Sequence, residues 1–278
     1  MRPPAGLASL IEQGIIQEVV RPLLSGKEAQ VYLVISDDEE RVAKVYKDAQ
    51  QRSFKQRVGY TEGRRSKSTR DQRAVAKGTQ HGRAQEEAAW RSAEVDTIYK
   101  LRAAGVRVPT PYHFLDGVLV MELITDAAGN PAPRLGEVEM TAQAAKVIFY
   151  QLISEVVKML CAGVVHGDLS DFNVLLGPDG PVIIDFPQAM DAARSQNART
   201  ILLRDVRNLN RFLLGFGGTP PPLLHGPEMW EMYARGDLRP ATILTGYHQA
   251  SEASVDLDAM LAALADAESD QLARRAAR

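Results

Sequence analysis

The stretch that decides the fold is VVHGDLSDFNVLLGPDGPVIIDFPQAM, residues 164–190, in which polar side chains surround two short apolar runs. NVLL and PVIID predict two strands joined by the turn GPDG, because short apolar runs bounded by Gly and Pro are typical of hairpins. Asn173 opens the first strand and Asp185 closes the second, so both are expected at the same end of the hairpin. Asp168 lies five residues before Asn173, on the loop that enters the hairpin.

Two interpretations of this hairpin compete. Asp and Asn are common turn formers, so two polar turns would explain each of them singly. Taken together, they offer one carboxylate and one amide oxygen to a divalent cation, with a second carboxylate just outside. Mg²⁺ prefers such hard oxygen ligands together with phosphate and water. In kinase-like enzymes a catalytic-loop Asp accepts the substrate hydroxyl proton, while an Asn five residues later and a further Asp hold the metal. The full pattern therefore favours phosphoryl transfer.

A lysine upstream supplies another part of such a site. Lys44 in VAKVYK lies within a predicted strand, where it would contact the α- and β-phosphates of a nucleotide. A glutamate from the following helix would hold it, with Glu94 as the first choice and Glu87 as the alternative one or two turns earlier. The competing interpretation is a solvent-facing Lys44 that alternates with Val42 and Tyr46. The order of the parts along the chain favours the phosphate contact.

Two weaker signals concern the rest of a nucleotide site. SGKEAQVY would be the loop over the phosphates, with Ser25, Gly26 and Lys27 between two strands, although a single glycine indicates only a turn. In LVMELI the chain leaves its strand-rich half, and backbone groups of Glu122 and Ile124 would bind an adenine edge. The alternative for LVMELI is a last strand before a loop.

The chain changes from strand-rich to helix-rich between residues 124 and 134. Apolar periodicity predicts strands, GVLVMELI among them, at 19–24, 31–35, 42–46 and 117–124. It predicts helices at 84–104, 141–162, 200–216 and 251–276. We therefore predict an α+β fold of two lobes, with a β-rich N-lobe at 1–124 and a mainly helical C-lobe at 125–278.

Residues 52–83 differ from both lobes. They contain ten basic and two acidic residues and lack apolar periodicity, which predicts a long basic loop. Such a loop could contact RNA or an acidic partner. Basic loops are usually only solvated when aromatic residues are not interleaved, and only Phe54 and Tyr60 lie here.

The overall composition is that of a globular protein. The chain has 278 residues, 45% of them hydrophobic, and a formal net charge of -2, which gives no general argument for nucleic acid or an anionic membrane as partner. No stretch approaches the roughly 20 apolar residues that a membrane span needs, and the first residues make a poor signal peptide. We expect a cytoplasmic protein that does not bind a membrane.

The chain resembles the RIO-type atypical protein kinases, in the branch without an N-terminal winged-helix domain. The matching segments follow family order over residues 20–216: SGKEAQVY, VAKVYK, Trp90 with Glu94, VLVMELI, HGDLSDFNVLL, IIDFPQAM and LLRDVRNLNRFL. Three features differ from ordinary protein kinases in the way this family does, because the glycine triplet is missing, DFP replaces DFG and no APE segment follows. The linker at 187–200 is too short for a full activation and substrate lobe.

The resemblance implies roles by position. It implies Asp168 as proton acceptor, Asn173 and Asp185 as metal ligands, Lys44 as the phosphate-contacting lysine, Glu94 as its partner, Ser25 near the terminal phosphate and Asp205 as a brace of the catalytic loop. It also implies ATP and Mg²⁺, with Mn²⁺ as the alternative ion. In this family the residue at the position of Asp185 can itself accept a phosphoryl group, and carboxylate nucleophiles are chemically reasonable.

Three functions remain open from the sequence. The first is an ATP- and Mg²⁺-dependent serine/threonine protein kinase that at least phosphorylates itself, with Ser66, Ser68 and Thr69 as candidate sites. The second is an ATPase switch on a ribonucleoprotein or ribosome, acting through an aspartyl-phosphate. The third is a small-molecule phosphotransferase, which SGKEAQVY and IIDFPQ disfavour. The chain ends suggest a bacterial member, whose substrate the resemblance does not supply.

Overall fold

The computed structural model describes residues 5–26, 29–46, 80–217 and 223–248. Over residues 80–91 it describes the backbone helix but not the side chains. Several predictions lie outside the described residues. These are Lys27, the basic segment up to residue 79, the side chains of Glu87 and Trp90, and the predicted helix at 251–276.

An antiparallel sheet of five strands forms the first half of the described chain. The strands are β1 (Glu18–Ser25), β2 (Ala29–Ser36), β3 (Glu39–Tyr46), β4 (Pro111–Leu115) and β5 (Val118–Glu122). Their order is β1-β2-β3-β5-β4, and every neighbouring pair is antiparallel. The four predicted strands are present. The edge strand β4 was not predicted because it begins at Pro111, a residue that weakens a strand assignment but is tolerated at a sheet edge.

One face of this sheet packs against the N-terminal lead-in. The short helix α1 (Ala8–Glu12) and its flanking residues bury Leu7, Leu10 and Ile16 against Val34 and Ala43 of the sheet. Successive side chains of a strand point to opposite faces. Since Ala43 faces the lead-in, its neighbour on β3, Lys44, points to the other face.

The opposite face carries the helix α2 (Gln80–Ala103), which was predicted at 84–104. Val95, Ile98 and Leu101 are buried on it. The helix is followed by Gly105, whose φ of +75° is the left-handed conformation expected after a helix end. Glu94 therefore lies on a helix that is fixed against the face of the sheet that carries Lys44.

The described part of the second half contains three α-helices and two small sheets of two antiparallel strands each. The helices are α3 (Ala142–Cys161), α4 (Ala198–Leu214) and α5 (His225–Arg235). The strands β6 (Val164–Val165) and β9 (Met190–Asp191) pair with each other, and so do β7 (Val174–Gly177) and β8 (Gly180–Ile183). Helix α5 was not predicted because HGP opens it and reads as a loop, although Pro is tolerated in the first turn of a helix.

Among the described residues, a large hydrophobic core connects the two halves. Its buried members include Leu119 of the sheet, Leu101 of α2, Leu152 of α3, Ile183 of β8 and Leu209 of α4. The architecture matches the predicted α+β arrangement of a β-rich and a helical lobe. The boundary at residue 124 stays a prediction, although the last strand of the sheet ends at Glu122. In the described part of the chain, no helix is both long enough and apolar enough to cross a membrane.

Candidate active site

A buried lysine joins the two halves of the molecule. Lys44 Nζ lies 2.7 Å from Glu94 Oε1 and 2.7 Å from Asp185 Oδ1. Lys44 is 8% exposed and Glu94 3%, whereas the side chain of Asp185 is 41% exposed. The expected ion pair between Lys44 and Glu94 is therefore present. A third group from the second half of the chain completes it.

The two carboxylates fix the charge of this lysine. Burial alone would lower the pKa of Lys44, but Glu94 and Asp185 outweigh it and raise that pKa well above its ordinary value. Burial would likewise raise the pKa of Asp185, and the Lys44 ammonium instead holds it below the ordinary value. Both groups are thus ionised at neutral pH, and Asp185 is ready to bind a cation through its exposed side.

Asp185 follows the hairpin in a left-handed backbone conformation with a φ of 70°. Val174 pairs with Ile183, and the N–H of Ile184 donates to the carbonyl of Asn173 at 3.0 Å. The ends of β7 and β8 therefore bring Asn173 and Asp185 together, as the sequence predicted. A non-glycine residue at positive φ costs free energy of order 1–3 kcal/mol and is common at functional sites.

The donor set at this hairpin end fits Mg²⁺ that is shared with phosphate. The Asn173 side-chain amide donates through Nδ2 to the Asp168 carbonyl at 2.8 Å, which turns its oxygen away from that bond. One carboxylate and one amide oxygen are few ligands, and in the described residues no group of three or more His, Cys, Asp or Glu side chains could hold a metal. Mg²⁺ is usually bound through one or two carboxylates plus substrate phosphates and water.

His166 is a neutral framework residue of the catalytic loop, residues 166–173, in which Asp168 is the predicted proton acceptor. It is fully buried, and burial lowers its pKa to about 4. Its Nδ1 accepts the N–H of Asp168 at 3.2 Å, and its Nε2 lies 3.1 Å from the Ile184 carbonyl. Since Nδ1 accepts, the proton is assigned to Nε2, which donates to Ile184. The imidazole thus ties the loop to the residue before Asp185.

A second framework residue, Asp205 of α4, holds the same loop through two hydrogen bonds. Its Oδ2 accepts the N–H of Gly167 at 2.8 Å and its Oδ1 accepts the N–H of Leu169 at 3.3 Å. Burial raises the pKa of Asp205 to about 7. The two hydrogen bonds lie on either side of Asp168, so they orient the backbone of that residue, in agreement with the bracing position expected for Asp205.

Only glycine fits at position 167. Its φ is +86°, and a Cβ there would collide with the carbonyl oxygen of Gln188. The segment after Asp185 therefore packs directly on the catalytic loop. The glycine of the HGD motif was the feature of the sequence that indicated this close contact.

Asp168 is exposed at the surface of the loop, although the surrounding protein removes part of the water around its carboxyl group. Burial raises the pKa of its carboxyl group, while Arg204 and the Asn173 amide partly offset that rise. Its Oδ2 lies 3.4 Å from Asn173 Nδ2. A carboxylate with a raised pKa is a better proton acceptor than one at its ordinary value.

Two arginines near the site were missed in the sequence. Arg204, which is half exposed, donates to the Gly167 carbonyl and lies 3.7 Å from Asp205 Oδ1. Arg134 of the interlobe linker forms an isolated bridge with Leu175 of β7, and its charge contributes to the lowered pKa of Asp185. Arginines on a helix face and in a linker resemble ordinary solvated residues, so no sequence signal singled them out.

The other residues predicted to contact the nucleotide are Ser25, Gly26, Glu122 and Ile124. Ser25 is exposed at the end of β1, and the N–H of Gly26 donates to the Ala29 carbonyl at 3.0 Å. The Glu122 N–H donates to the Thr110 carbonyl at 2.8 Å, and the Ile124 carbonyl accepts the Ala132 N–H at 2.9 Å. Two backbone groups of the predicted adenine contact are therefore engaged inside the protein.

The comparisons with known proteins agree on one family. A family model described as the RIO domain matches residues 30–220. The RIO-type serine/threonine-protein kinase Rio1 of Haloferax volcanii is 34% identical over 211 residues, which cover 75% of this chain and 67% of that protein. The RIO-type serine/threonine-protein kinase Rio2 of Methanocaldococcus jannaschii is 30% identical over 207 residues, 73% of this chain and 70% of that protein.

Eukaryotic relatives are longer. The match to the human serine/threonine-protein kinase RIO1 is 30% identical and covers 75% of this chain but 35% of that protein. The matched residues thus span about a third of the length of that relative. These relatives are archaeal and human, and the expected bacterial origin stays a prediction.

Solved structures support the fold. The Rio2 kinase–ADP/Mg²⁺–phosphoaspartate complex from Chaetomium thermophilum has a TM-score of 0.57 and 20% identity, and the match covers 94% of this chain and 75% of that chain. A second Rio2 structure from the same organism has a TM-score of 0.55. This likeness confirms the predicted two-lobed, kinase-like fold. With the family model matching more than half of its length, the chain belongs to the RIO domain family.

Proposed function

We propose that the chain is an ATP- and Mg²⁺-dependent serine/threonine protein kinase that also phosphorylates itself. The observation that carries this proposal is the bridge from Lys44 to both Glu94 and Asp185, with Asn173 and Asp168 at the same end of the β7–β8 hairpin. Relatives named as serine/threonine-protein kinases support it.

Lys44 and Asp185 would bind the nucleotide. The Lys44 ammonium, held by Glu94, would contact the α- and β-phosphates, and Asp185 with Asn173 would hold Mg²⁺. Bound Mg²⁺ neutralises charge on the β- and γ-phosphate oxygens. Ser25 and Gly26 would lie over the phosphates. The Glu122 N–H and the Ile124 carbonyl already form hydrogen bonds within the protein. The adenine edge would therefore bind the Glu122 carbonyl and the Ile124 N–H.

Asp168 would accept the proton of the substrate hydroxyl. As the serine or threonine oxygen forms its bond to the γ-phosphorus, the bond from that phosphorus to the oxygen of ADP breaks. The hydroxyl proton passes to the Asp168 carboxylate. Asp205, His166 and Asn173 would hold that carboxylate in place, so that its proton transfer contributes roughly 10²–10⁴-fold to the rate.

A second candidate is an ATPase that forms an aspartyl-phosphate. The similar Rio2 kinase structure from Chaetomium thermophilum is a complex with ADP, Mg²⁺ and phosphoaspartate, and the Asp185 side chain here is ionised and 41% exposed. Its carboxylate oxygen would attack the γ-phosphorus, ADP would leave, and water would then hydrolyse the acyl phosphate. In this case Asp185 would be both nucleophile and metal ligand.

The partners of the chain are proposals as well. A protein substrate follows from the kinase function, and the chain itself is the first substrate to examine. Contact with RNA or a ribosome through residues 52–83 and a cytoplasmic location stay predictions.

A single-turnover incubation with γ-labelled ATP and Mg²⁺ tests the proposal. Label on the protein that survives acid and disappears in Asp168→Asn would support the kinase. Label that hydroxylamine removes, or free phosphate that depends on Asp185, would support the ATPase. Label that ends only on an added small molecule would contradict both.

A further inference from the structure

A tyrosine that the proposed mechanism does not use lies next to the ion cluster of the site. Tyr46 ends β3, two residues after Lys44, so the two side chains point to the same face of the sheet. Tyr46 is 5% exposed, and Lys44 Nζ lies over its ring, 5.2 Å from the centroid. An ammonium at this distance is attracted by the negative face of an aromatic ring. The ring is therefore a direct neighbour of the lysine.

The hydroxyl end of Tyr46 interacts with Glu94. Burial raises the pKa of Tyr46 well above its ordinary value. The charge of Glu94 and a hydrogen bond to that carboxylate raise this pKa further, and the charge of Lys44 only partly offsets the rise. The hydroxyl is therefore protonated at neutral pH and can donate. One side chain thus interacts with both members of the Lys44–Glu94 pair.

Glu94 needs a donor besides the lysine. Its side chain is 1% exposed, and Lys44 Nζ donates to its Oε1 at 2.7 Å. Its other oxygen, Oε2, is closed off from water, and so is the Tyr46 hydroxyl. A buried charged group without enough hydrogen bonds costs more free energy than a buried neutral one. The Tyr46 hydroxyl reduces that cost without adding charge to the cluster.

The sheet and the core hold Tyr46 in place. Tyr46 pairs with Ala29 of β2, and its N–H donates to the Gly117 carbonyl at 3.4 Å. Its side chain belongs to the large core that also contains Leu101 and Leu119. A buried tyrosine usually finds a partner for its hydroxyl, and here that partner is a residue of the site. The ring is thus fixed before a nucleotide binds, which keeps the ordering cost of binding small.

The Lys44–Glu94 pair has to stay together when a nucleotide binds. Lys44 Nζ is shared between Glu94 and Asp185, at 2.7 Å from each. The α- and β-phosphates would compete for the same ammonium, and their charge would draw it away from Glu94. Tyr46 carries no charge for the phosphates to attract, so it can hold the pair while the ammonium donates to phosphate.

We propose that Tyr46 is a positioning residue of the nucleotide site. Its ring and its hydroxyl hold Lys44 against Glu94, so that the ammonium meets the nucleotide phosphates in one place. Tyr46 acts through these two residues and not by contact with the reacting atoms. This inference rests on the proposed ATP-dependent function, and it adds a residue to the proposed site.

Titration of the folded protein with a fluorescent ATP analogue tests this role, because a loss of stability alone does not change the affinity of folded molecules. Tyr46→Phe keeps the ring and removes the hydroxyl. It should weaken ATP binding about tenfold, with and without Mg²⁺, since a hydrogen bond to a charged group is lost. Tyr46→Leu also removes the ring and should weaken binding further. In single-turnover labelling, the ATP concentration that gives half the maximal rate should rise by the same factors.

Competition by adenosine separates positioning from a general change of the pocket. Adenosine has no phosphate for Lys44 to contact, so it should displace the analogue equally well from the wild type and from Tyr46→Phe. Equal losses of affinity for ATP and for adenosine would overturn the positioning role. An unchanged affinity for ATP in Tyr46→Phe would overturn it as well.

Tyr32→Phe is the matched control. Tyr32 lies on β2, packs against the core under the N-terminal lead-in, and donates through its hydroxyl to Gln30 Oε1 at 3.0 Å. This variant also loses one tyrosine hydroxyl of the sheet, but it should bind ATP as the wild type does. If Tyr32→Phe weakens ATP binding as much as Tyr46→Phe does, Tyr46 has no special position and the inference fails.

The outcome for Tyr46 is separate from that for the proposed function. If the wild-type chain binds ATP and transfers no phosphate, the proposed function fails, and the affinity of Tyr46→Phe for ATP still decides the positioning role. If the wild type transfers phosphate and Tyr46→Phe binds ATP normally, the proposed function stands and the positioning role fails.

Discussion

Asp168 and Asp185 are the same chemical group, yet their surroundings shift the two pKa values in opposite directions. Lys44 lies 2.7 Å from Asp185 and keeps its pKa low. Asp168 has no lysine at that distance among the described residues, and burial raises its pKa despite the charge of Arg204. The comparison separates two tasks, because one carboxylate is suited to hold positive charge and the other to accept a proton.

The two aspartates also differ in the contacts that hold them in place. Asp185 is fixed by an ion cluster that reaches across both lobes, through Lys44 and Glu94. Asp168 is fixed within one lobe by hydrogen bonds from its own backbone to neutral His166 and from its neighbours to Asp205. Movement between the lobes would therefore change the environment of Asp185 and leave Asp168 in place.

Removing the cation that joins the lobes should have the largest effect. In Lys44→Met the buried carboxylate of Glu94 loses its partner, and breaking a buried pair in this way costs about 3–5 kcal/mol of stability. Phosphoryl transfer should fall by at least about a hundredfold, as it does when one group that stabilises transition-state charge is removed. Single-turnover labelling and denaturant unfolding measure the two losses.

Lys158→Met is the control for that loss. Lys158 Nζ pairs with the buried Glu155 at 2.8 Å on α3, away from the site. This variant should lose some stability and keep transfer. Equal losses of transfer in both variants would mean that Lys44 acts through stability alone.

Removing the brace of the catalytic loop should have the next largest effect. Asp205→Ala leaves the N–H groups of Gly167 and Leu169 without their carboxyl acceptor, and the displaced Asp168 should lower transfer by about tenfold to a hundredfold. ATP binding should persist, because the Lys44 bridge is intact. Steady-state kinetics measure the loss of transfer, and nucleotide titration measures the retained ATP binding.

Asp191→Ala is the matched variant for this prediction. Asp191 also accepts two backbone N–H groups, those of Ala193 and Arg194, through Oδ1. Its side chain is 43% exposed, so water can replace it. A loss of transfer as large as that of Asp205→Ala would contradict a specific role for the brace.

The sequence predicted the positions of some site residues and elements but not of others. Lys44 lies on a strand, where its side-chain direction follows from alternation, and Asn173 and Asp185 flank the paired ends of the β7–β8 hairpin. Their meeting was therefore predictable. Arg204 was not, since it projects from a helix face on which arginines are common. Strand β4 and helix α5 were hidden by prolines at their beginnings. The left-handed backbone of Asp185 depends on packing around it, which no local pattern encodes.

Protonation of His166 should weaken the fold in acid. Its pKa is about 4 in the folded protein, below the ordinary value of about 6.5. The unfolded chain therefore binds more protons between these values, and stability falls as the pH drops from 6.5 to 4. Between pH 7 and pH 4.5 this group alone should account for roughly 2–3 kcal/mol.

Denaturant unfolding of His166→Asn checks this prediction. The variant should lose less stability than the wild type between those two pH values, by that amount. His113→Gln, which changes a histidine on the edge strand β4 whose side chain is 38% exposed, is the control for the loss of a histidine outside the site. A His166→Asn variant with the wild-type pH dependence would contradict the neutral, buried imidazole.

Replacing Arg204 should have the smallest effect and sharpen the comparison of the two acids. Arg204 lowers the pKa of Asp168, so Arg204→Gln should raise that pKa further. Because the proposed base Asp168 could accept a proton only when ionised, the acidic limb of kcat/KM should move to higher pH. Arg204→Lys keeps the charge and should move the limb less. An unmoved limb in Arg204→Gln would indicate that another group sets it.

The most direct test of the different tasks of Asp168 and Asp185 compares nucleotide binding with transfer in two variants. Fluorescent-nucleotide titration with and without Mg²⁺ is run beside single-turnover labelling for Asp168→Asn and Asp185→Asn. We expect Asp168→Asn to bind ATP as the wild type does and to transfer no phosphate to hydroxyl groups, while Asp185→Asn loses Mg²⁺-dependent binding. Undiminished transfer by Asp168→Asn, or normal Mg²⁺-dependent binding by Asp185→Asn, would contradict this division of roles.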